Sequence, residues 1–497
     1  MDRRTFLKMA GVLTVSASLG GCAATTPRLV RPEPLVRPDE KLLLTNVRVI
    51  DVKKGVVSDY RSVLVQNGKI AGLFRPGESV TADRTVDLAD GYMIPGLINA
   101  HTHMGLPGGL GFSSAGIVGA YMRQIERGCE ECVKHGVTTT RDMLATRDLV
   151  FKLVGKIQRG EILGPRILQS CAMDCTGSYG EHNAIAPDPR FFHAISNPAQ
   201  ATEAVRRAAD DGVDFVKLFH QIQGLLMPGG DMPVMDAKTM EAVRNEADRH
   251  GLPVALHHTE KIGLDKALQA GITDLQHIVG DQVLDDASLK KMIDNKVSLV
   301  PTASAFFGLA HKSAYDPNWG EEPLPELLNF REAHMRGLVE EFCEPEFVEP
   351  SLHLYRQLKR PENYDQRHLT PWPNPKIFTA SMVVGKKNAD LIREAGIEFG
   401  CGNDGGVPFV FPGALSLEME LMQKFGAEPA EILRAATVTN ARLCKLDNRL
   451  GSIETGKIAD LVVLYDNPLR ETSHMKKPAL TFMDGMLVYQ RYPKADA

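Results

Sequence analysis

The apolar stretch Pro95-Gly96-Leu97-Ile98-Asn99-Ala100-His101-Thr102-His103 ends in two histidines separated by one residue. In a β-strand, side chains two positions apart point to the same side of the sheet. The imidazoles of His101 and His103 would then face the same way and could bind one metal ion. The stretch therefore predicts a strand whose carboxyl end carries metal ligands.

Strand and helix signals alternate through the middle of the chain. Seven further apolar segments are predicted strands, which end at residues 138–140, 167–168, 216–218, 256–257, 275–277, 298–300 and 399–401. Helical patterns separate most of them, among them residues 201–211 and residues 238–250 with Asp236 as the N-cap, and a final helix is expected at 429–446. Eight such units predict an α/β fold, a closed (β/α)8 TIM barrel over residues 93–446.

Both chain ends show β-type patterns. Short apolar strands are expected at residues 42–44, 47–50 and 62–65, and Asn67-Gly68 is a strong hairpin signal. Near the other end, Asp484-Gly485 is a second turn signal between β-type segments. Because these segments flank the long middle on both sides, we expect residues 41–92 and 447–497 to form one small β-sandwich domain.

More candidate metal ligands lie at predicted strand ends. His257 and His277 each end an apolar strand, and Asp404 follows the last strand. Barrel enzymes keep their active sites at the carboxyl ends of the strands. One histidine at such a position is usually structural. Four histidines and an aspartate at the same end of one barrel are the donor types of a metal site.

Lys217 lies inside the apolar strand Asp214-Phe215-Val216-Lys217-Leu218-Phe219. A charged lysine is costly to bury there unless it is paired or neutral. A salt bridge to Asp214 is the ordinary explanation, but alternation along the strand turns Asp214 to the opposite face. A neutral lysine can instead take up carbon dioxide and become an anionic carbamate, which could bridge two cations.

Three stretches resemble motifs of the amidohydrolase superfamily. They are the stretch at residues 95–103, the run Ala435-Ala436-Thr437-Val438-Thr439-Asn440-Ala441, and Leu450-Gly451-Ser452-Ile453-Glu454-Thr455-Gly456-Lys457-Ile458-Ala459-Asp460-Leu461. The similarity runs from residue 42 to residue 469. It is greatest with the branch that holds imidazolonepropionase and prolidase-like Xaa-Pro dipeptidases.

This resemblance implies a site with two divalent metal ions, for which Zn²⁺ is the expected metal. The implied ligands are His101, His103 and Asp404 for one ion, His257 and His277 for the other, and a carboxylated Lys217 bridging both. All six positions are filled in this chain, so the resemblance implies an intact site.

The same resemblance suggests roles for individual residues. Asp404 would be the catalytic general base, which takes a proton from a metal-activated water and passes it to the leaving nitrogen. His182 could contact the substrate, although a surface-loop histidine is an equal alternative. Glu260, in His257-His258-Thr259-Glu260, resembles the proton-shuttling glutamate of deaminases or is an acidic residue in the first turn of a helix.

The function expected from these features is hydrolysis of an amide or cyclic-amide C–N bond in a small molecule, with a dipeptide as one candidate. Deamination of a small heterocycle is the first alternative, which Lys217 disfavours because deaminases usually lack it. A catalytically inactive metal- or solute-binding lipoprotein is the second, and no ligand is lost to support it. Residues 306–375 are rich in Pro, Glu, Tyr and Trp without core periodicity, which predicts a lid or substrate wall after the seventh strand.

The first residues resemble an export signal. Asp2-Arg3-Arg4-Thr5-Phe6-Leu7-Lys8 is similar to a twin-arginine signal, and Leu19-Gly20-Gly21-Cys22 to a lipoprotein processing site. Residues 1–22 are therefore expected to be a signal peptide with Cys22 as the lipidated residue, and the proline-rich residues 23–40 a tether. The expected location is the periplasmic side of the bacterial envelope, anchored to a membrane.

Composition limits the classes of partner. The 497 residues carry a formal net charge of -5 and no run of basic residues, so nucleic acid is not an expected partner. A homo-oligomer is left open. Among eight cysteines, Cys129 and Cys132 form a CxxC pair without the second pair of a zinc site. A Cys171–Cys175 disulfide is conceivable in an oxidising compartment, but buried thiols are the stronger expectation.

Overall fold

The computed structural model describes residues 40–108, 118–144, 147–180, 192–223, 231–310, 324–358 and 375–491. The strands of these residues are β1 (Leu42–Asp51), β2 (Val56–Val57), β3 (Ser62–Gln66), β4 (Lys69–Phe74), β5 (Arg84–Pro95), β6 (Leu97–Thr102), β7 (Val137–Asp142), β8 (Arg166–Asp174), β9 (Phe192–Ala194), β10 (Phe215–His220), β11 (Val254–His258), β12 (Asp274–Gln276), β13 (Ser298–Val300), β14 (Glu398–Phe399), β15 (Leu461–Leu464), β16 (Leu480–Met483) and β17 (Met486–Gln490).

The α-helices of the same residues are α1 (Val118–Lys134), α2 (Arg147–Gln158), α3 (Pro198–Asp210), α4 (Ala237–Arg249), α5 (Lys261–Gln269), α6 (Asp286–Asp294), α7 (Ala303–Leu309), α8 (Leu324–Phe342), α9 (Pro345–Leu358), α10 (Pro375–Glu394), α11 (Leu415–Lys424), α12 (Pro429–Arg434) and α13 (Asn440–Leu443). A π-helical turn, Ala435–Thr439, connects the last two. None of these described helices combines the length and the apolar character that a bilayer span requires.

Both ends of the described chain build one sheet. Its strand order is β17-β16-β15-β5-β1-β3-β4, with β2 attached to β1. Strand β5 joins the two ends, because it pairs in parallel with β1 and antiparallel with β15. Backbone hydrogen bonds from Ile70 to Lys457 (2.8 Å) and from Ala459 to Gly68 (2.9 Å) connect β4 to the chain before β15. The sheet thus curls around its own apolar core, and the predicted β domain built from both chain ends is confirmed.

The two predicted hairpin turns of this domain are present. Asn67 and Gly68 have φ angles of 53° and 72° between the paired residues Gln66 and Lys69. Asp484 and Gly485, with φ angles of 49° and 76°, join β16 to β17. Positive φ at both central residues is the requirement of a type I′ turn, which explains the Asn-Gly and Asp-Gly pairs.

The middle of the chain forms the predicted barrel. Strands β6, β7, β8, β10, β11, β12, β13 and β14 follow one another as parallel neighbours. Backbone hydrogen bonds from Ala100 to Cys401 (3.1 Å) and from Asp404 to His101 (2.9 Å) connect the chain after β14 back to β6. These bonds join the last strand to the first and so close the sheet into a barrel.

Local sequence explains the helix starts around the barrel. The Asp236 carboxylate accepts a hydrogen bond from the Thr239 amide (2.9 Å) and caps α4, as predicted. Asn197 caps α3 in the same way, with Pro198 at the first helical position. The predicted final helix is broken into α12, the π-helical turn and α13, and it ends at Leu443 rather than at residue 446.

The segment after β13 differs from its prediction. Its described parts include α8 and α9, and Leu327, Met335, Val339 and Phe342 are buried in the main core. The expectation of no core periodicity was therefore wrong. Arg331 takes one core position of α8 and donates to the carbonyl oxygen of Ala310 (2.5 Å). A buried arginine interrupts the apolar stripe in the sequence but not in the structure.

The cysteines are thiols in the described chain. Cys171 and Cys175 are not joined by a disulfide, and Cys171 is buried while Cys175 is half-buried. Cys129 and Cys132 are buried in α1, away from any described cluster of metal-ligand side chains. The expectation of buried thiols is confirmed for six of the seven described cysteines. Arg3, Arg4 and Cys22 lie outside the described residues.

Candidate metal centre

The barrel brings the six predicted ligands to one place at the carboxyl ends of its strands. They are His101 and His103 at the end of β6, Lys217 on β10, His257 on β11, His277 after β12 and Asp404 after β14. The centroid of the His277 ring lies 4.8 Å from that of His101 and 4.4 Å from that of His257. All six side chains belong to residues that are buried, and all six line one cavity.

The first group of ligands is compact. The potential ligand atoms of His101, His103 and Asp404 all lie within 4.8 Å of one another. An Asp404 carboxylate oxygen is 2.8 Å from Nε2 of His103 and 3.2 Å from Nε2 of His101. Two imidazoles and a carboxylate are donors that suit a divalent transition metal such as Zn²⁺. The geometry of this group therefore fits the implied metal.

The second group contains His257, His277 and Lys217. Lys217 is 1% exposed, and its Nζ has no hydrogen-bond partner in the part of the chain that the structure describes. Asp214 does not pair with it, because the Asp214 carboxylate accepts a hydrogen bond from the Gln169 amide (2.8 Å). Burial lowers the pKa of the Lys217 amine to about 7. A buried amine that loses its proton this easily fits the implied carbamate.

Hydrogen bonds fix the orientation of two of the histidines. Nδ1 of His101 lies 2.8 Å from Oε1 of Gln276, whose Nε2 donates to the Asp274 carboxylate (2.5 Å). Because a carboxylate only accepts, it turns the amide of Gln276 so that the oxygen faces His101. His101 must then carry its proton on Nδ1, which leaves Nε2 as the metal-binding atom.

His277 is held in the same way. Its Nδ1 lies 2.5 Å from Oγ1 of Thr302, and this hydroxyl donates to the carbonyl oxygen of Pro301 (2.8 Å). The hydroxyl must therefore accept from His277, so Nε2 of that ring is also left for a metal. Gln276 and Thr302 were missed in the sequence. The available signal for both was a polar residue in or beside an apolar strand. The sequence does not show their histidine partners, because these lie elsewhere in the chain.

Electrostatics keep these ligands in their metal-binding forms. Burial lowers the pKa of His101 to about 4 and holds the pKa values of His257 and His277 well below their usual range. Burial opposes ionisation of Asp404, but the neighbouring His101 and His103 outweigh it and hold the pKa of this carboxyl well below its ordinary value. Neutral imidazoles and an ionised carboxylate are the forms that bind metals.

The backbone around Asp404 is unusually tight. Asp404 has a φ of 60°, which few residues other than glycine adopt. A Cβ on Gly406 would lie 2.3 Å from the carbonyl oxygen of His103, and a Cβ on Gly405 would lie 2.4 Å from Cα of Pro412. Gly406 therefore lets the loop after β14 lie directly against the end of β6, and Gly405 lets the same loop fold closely against Pro412, with Asp404 beside both histidines.

The run at residues 435–441 closes the barrel beneath this site. Asn440 follows the π-helical turn, and its side-chain nitrogen Nδ2 donates to the carbonyl oxygens of Ile98 (2.5 Å) and Cys401 (2.6 Å). Its oxygen accepts from the Cys401 amide (3.0 Å). One buried side chain thus ties the first strand to the last and holds the strand ends that carry His101 and Asp404.

An apolar wall surrounds the metal ligands. Leu106, Leu144, Phe219, Phe306, Leu309 and Phe378 line the cavity beside them. These side chains come from segments after several different strands, and Phe306 and Leu309 belong to α7, at the start of the predicted wall segment. Tyr179 also lines the cavity and stacks on His257, with ring centroids 4.7 Å apart and an angle of 24°.

Of the two predicted substrate contacts, Glu260 lies among the described residues and does not line the cavity. Glu260 precedes α5, and its carboxylate accepts hydrogen bonds from the backbone amides of Ile222 (2.8 Å) and Gln223 (3.0 Å). It therefore anchors the chain after β10, and it is not among the described residues that line the cavity. His182 lies outside the described residues.

Comparisons with known proteins agree with this arrangement. The sequence profile of the amidohydrolase family matches residues 92–312 and 333–488. The D-hydantoinase of Streptomyces coelicolor is 25% identical over 447 residues, which covers 84% of this chain and 85% of that protein. The ochratoxinase of Aspergillus niger is 24% identical over 420 residues, or 78% of this chain and 72% of that protein.

Solved structures give the same fold. The crystal structure of a Xaa-Pro dipeptidase with bound methionine in the active site superposes with a TM-score of 0.66 at 23% identity. The alignment covers 91% of this chain and all of the dipeptidase chain (100%).

Proposed function

The chain belongs to the amidohydrolase family and is a hydrolase of C–N bonds, and on that premise we propose that it cleaves an amide or cyclic-amide bond of a small molecule with the help of two divalent metal ions, most simply Zn²⁺. The observation that carries the proposal is the gathering of four histidines, Lys217 and Asp404 around one cavity at the carboxyl end of the barrel.

The ligands divide into two sets. His101, His103 and Asp404 would hold one ion, and His257 and His277 the other, with a carboxylated Lys217 between them. When bound, such ions lower the pKa of a water molecule and polarise a carbonyl group. Gln276 and Thr302 hold Nδ1 of His101 and of His277, so Nε2 of each ring would be available to bind an ion.

In this proposal, Asp404 moves the proton. Its carboxylate has two oxygens, so one can bind an ion while the other accepts a proton from the attacking water. The leaving nitrogen must gain a proton for the C–N bond to break, and Asp404 can deliver the same proton to it. His101 and His103 hold the pKa of Asp404 well below its ordinary value, so the carboxylate is ionised at neutral pH.

The alternatives have less support. A deaminase mechanism through Glu260 would need a carboxylate that faces the substrate, whereas Glu260 is occupied by two backbone amides. An inactive binding protein would tolerate loss of a ligand, and the six ligands are all present. A Xaa-Pro dipeptidase shares the fold, but a shared fold does not fix the substrate.

Metal analysis and turnover measured on one preparation test the proposal. We expect two equivalents of metal per chain. We also expect the protein to hydrolyse members of an amide panel, to lose this activity on chelation and to regain it with Zn²⁺. One equivalent of metal, or hydrolysis that survives complete metal removal, would contradict the two-metal mechanism.

We further propose that the chain is exported by its twin arginines and anchored through lipidated Cys22. The support is the order and spacing of the two signals in residues 1–22. Replacing Arg3 and Arg4 by Lys should leave precursor in the cytoplasm, while Cys22→Ser should still be exported but appear in the soluble periplasmic fraction. Fractionation and lipid labelling measure both, and normal export of the double lysine variant would refute the route.

A further inference from the structure

The cavity above the metal ligands offers aromatic surface on two sides. On one side, the Phe306 ring meets His277 edge to face, with centroids 5.7 Å apart at 89°, and lies 5.8 Å from Phe378. On the other side, Tyr179 and Phe219 lie against His257, with ring centroids at 4.7 Å and 5.7 Å. Groups on both sides of a bond held over the ligands would therefore meet apolar surface.

Charged groups are scarce in the same cavity. Among the described residues that line it, the side chains with a formal charge are Lys217 and Asp404, and the proposed function assigns both to the metal ions. The remaining described lining contains no arginine, second lysine or second carboxylate. An ionised group buried in such a wall without a partner loses its hydration and gains nothing in return.

A free dipeptide fits this wall poorly. It carries an ammonium group and a carboxylate, one on each side of the scissile bond and each only a few bonds from it. Both charges would lie against the two aromatic flanks. A substrate without charges near the scissile bond would instead bury apolar area on both flanks, which favours binding by roughly 25 cal/mol per Å².

We propose that the substrates are neutral amides that carry an aromatic or branched apolar group beside the scissile bond, rather than free zwitterionic dipeptides. The inference rests on the proposed function, because it requires metal ions that present the amide to the two aromatic flanks. The flank formed by Phe306 and Phe378 is the one that a substitution can test most cleanly.

Hydroxamates test the proposal by binding, without any need for a known substrate. They share one metal-binding group and differ in the tail. The tail of butyrohydroxamate is a neutral propyl group, that of succinomonohydroxamate carries a carboxylate in place of the terminal methyl, and that of phenylacetohydroxamate carries a phenyl ring. Calorimetry on the Zn²⁺-loaded protein should rank phenylacetohydroxamate at least about tenfold tighter than butyrohydroxamate. Succinomonohydroxamate should bind more weakly than butyrohydroxamate.

A matched pair of variants locates the preference. Phe306→Leu removes a ring from the flank, whereas Phe307→Leu removes the neighbouring ring of α7, which is 2% exposed and packs 5.8 Å from Phe330 instead of lining the cavity. The ratio of phenylacetohydroxamate to butyrohydroxamate affinity should fall about fivefold in Phe306→Leu and stay unchanged in Phe307→Leu.

The outcomes separate the two proposals. Failure of every hydroxamate to bind the metal-loaded protein would overturn the proposed metal site, and this inference with it. Binding of all three with equal affinity, or tightest binding of succinomonohydroxamate, would overturn the neutral substrate class alone. An undiminished preference for the phenyl tail in both Phe306→Leu and Phe378→Leu would also overturn it.

Discussion

Lys217 places a buried amine in the barrel, and its Nζ has no hydrogen-bond partner among the described residues. Its side chain is 1% exposed, and the centroid of the Phe219 ring lies 5.4 Å from Nζ. Burial lowers the pKa of the amine to about 7. Only the neutral amine reacts with carbon dioxide, so the proposed carbamate should form more readily as the pH rises through this value.

Reconstitution of the metal-free protein tests this pH dependence. At a fixed pressure of carbon dioxide, the neutral fraction of an amine with a pKa of about 7 rises about tenfold between pH 6 and pH 8. The rate of Zn²⁺ uptake should rise by a similar factor. His101, whose pKa burial lowers to about 4, stays neutral across this range and does not contribute.

Lys217→Glu provides the control, because its carboxylate needs no carbon dioxide. Metal uptake by this variant should not depend on carbon dioxide at either pH. If uptake by the natural protein were equally fast in buffer purged of carbon dioxide, a carbamate at Lys217 would be excluded.

Asp404→Asn separates the two tasks assigned to Asp404. The amide keeps the shape and one potential ligand oxygen but cannot take a proton. The four histidines and Lys217 can still hold much of the metal, so metal content should fall little. Turnover should fall by at least about 10²–10⁴-fold, the usual contribution of a general base. A metal-loaded variant with near-normal turnover would rule out Asp404 as the base.

Strand β12 supplies more than a ligand. Asp274 and Gln276 lie two positions apart and point to the same side, where Asp274 also binds the guanidinium of the fully buried Arg141 (2.7 Å). A chain of contacts therefore runs from Arg141 through Asp274 and Gln276 to His101. Arg141 pairs with the Asp274 carboxylate, and Asp274 sets the orientation of the Gln276 amide.

Gln276→Met should weaken metal binding without removing a ligand. Methionine fills a similar volume but cannot accept the hydrogen bond from Nδ1 of His101, so the ring loses its fixed tautomer. The affinity of one Zn²⁺ should fall about 10–100-fold, measured by competition with a chelator. Gln124→Met is the matched control: Gln124 is buried in α1 and contacts Phe342 and Glu344. Equal losses of affinity in both variants would mean that the effect is only structural.

The elements show which features a sequence reveals. The ligands were predictable because the carboxyl ends of barrel strands meet at one face, so strand-end histidines identify one another. The sequence indicated Asn440 only as one member of the run at residues 435–441, which is typical of the amidohydrolase superfamily. Its contacts join positions 39 and 342 residues away in the chain, and no local periodicity reports such partners. Arg331 hid the core stripe of α8 because a charged residue occupies a core position there. Its guanidinium donates to the carbonyl oxygens of Phe307 and Ala310.

At the scale of the whole molecule, Arg166 joins the barrel to the sheet domain through two ion pairs. Arg166 begins β8, and its guanidinium contacts Asp460 (2.9 Å) and Asp484 (3.1 Å), which flank β15 and β16. The Asp460 side chain is 2% exposed and that of Arg166 is 24% exposed. Burial raises the pKa of Asp460, and Arg166 opposes that rise. Asp460 thus relies on a residue of the other domain to remain ionised.

Arg166→Met should destabilise the protein by leaving Asp460 buried without its cation. Breaking a fully buried pair costs about 3–5 kcal/mol, and the partial exposure of Arg166 lets water replace some of the loss, so we expect about 2–3 kcal/mol at neutral pH. Without Arg166, the pKa of the folded-state carboxyl rises further above its unfolded value. Such a group binds more protons in the folded state, so the deficit should grow as the pH rises from 4 toward 8.

Urea unfolding of Arg166→Met and the natural protein at pH 5 and at pH 8 measures this difference. Arg159→Met is the control, because Arg159 pairs with Glu161 at the surface, where both side chains are about half exposed (62% and 48%). Its loss should leave the free energy of unfolding almost unchanged at both pH values, because an exposed pair contributes little. If Arg166→Met lost the same free energy of unfolding at both pH values, the cause would be lost packing rather than the unpaired charge of Asp460.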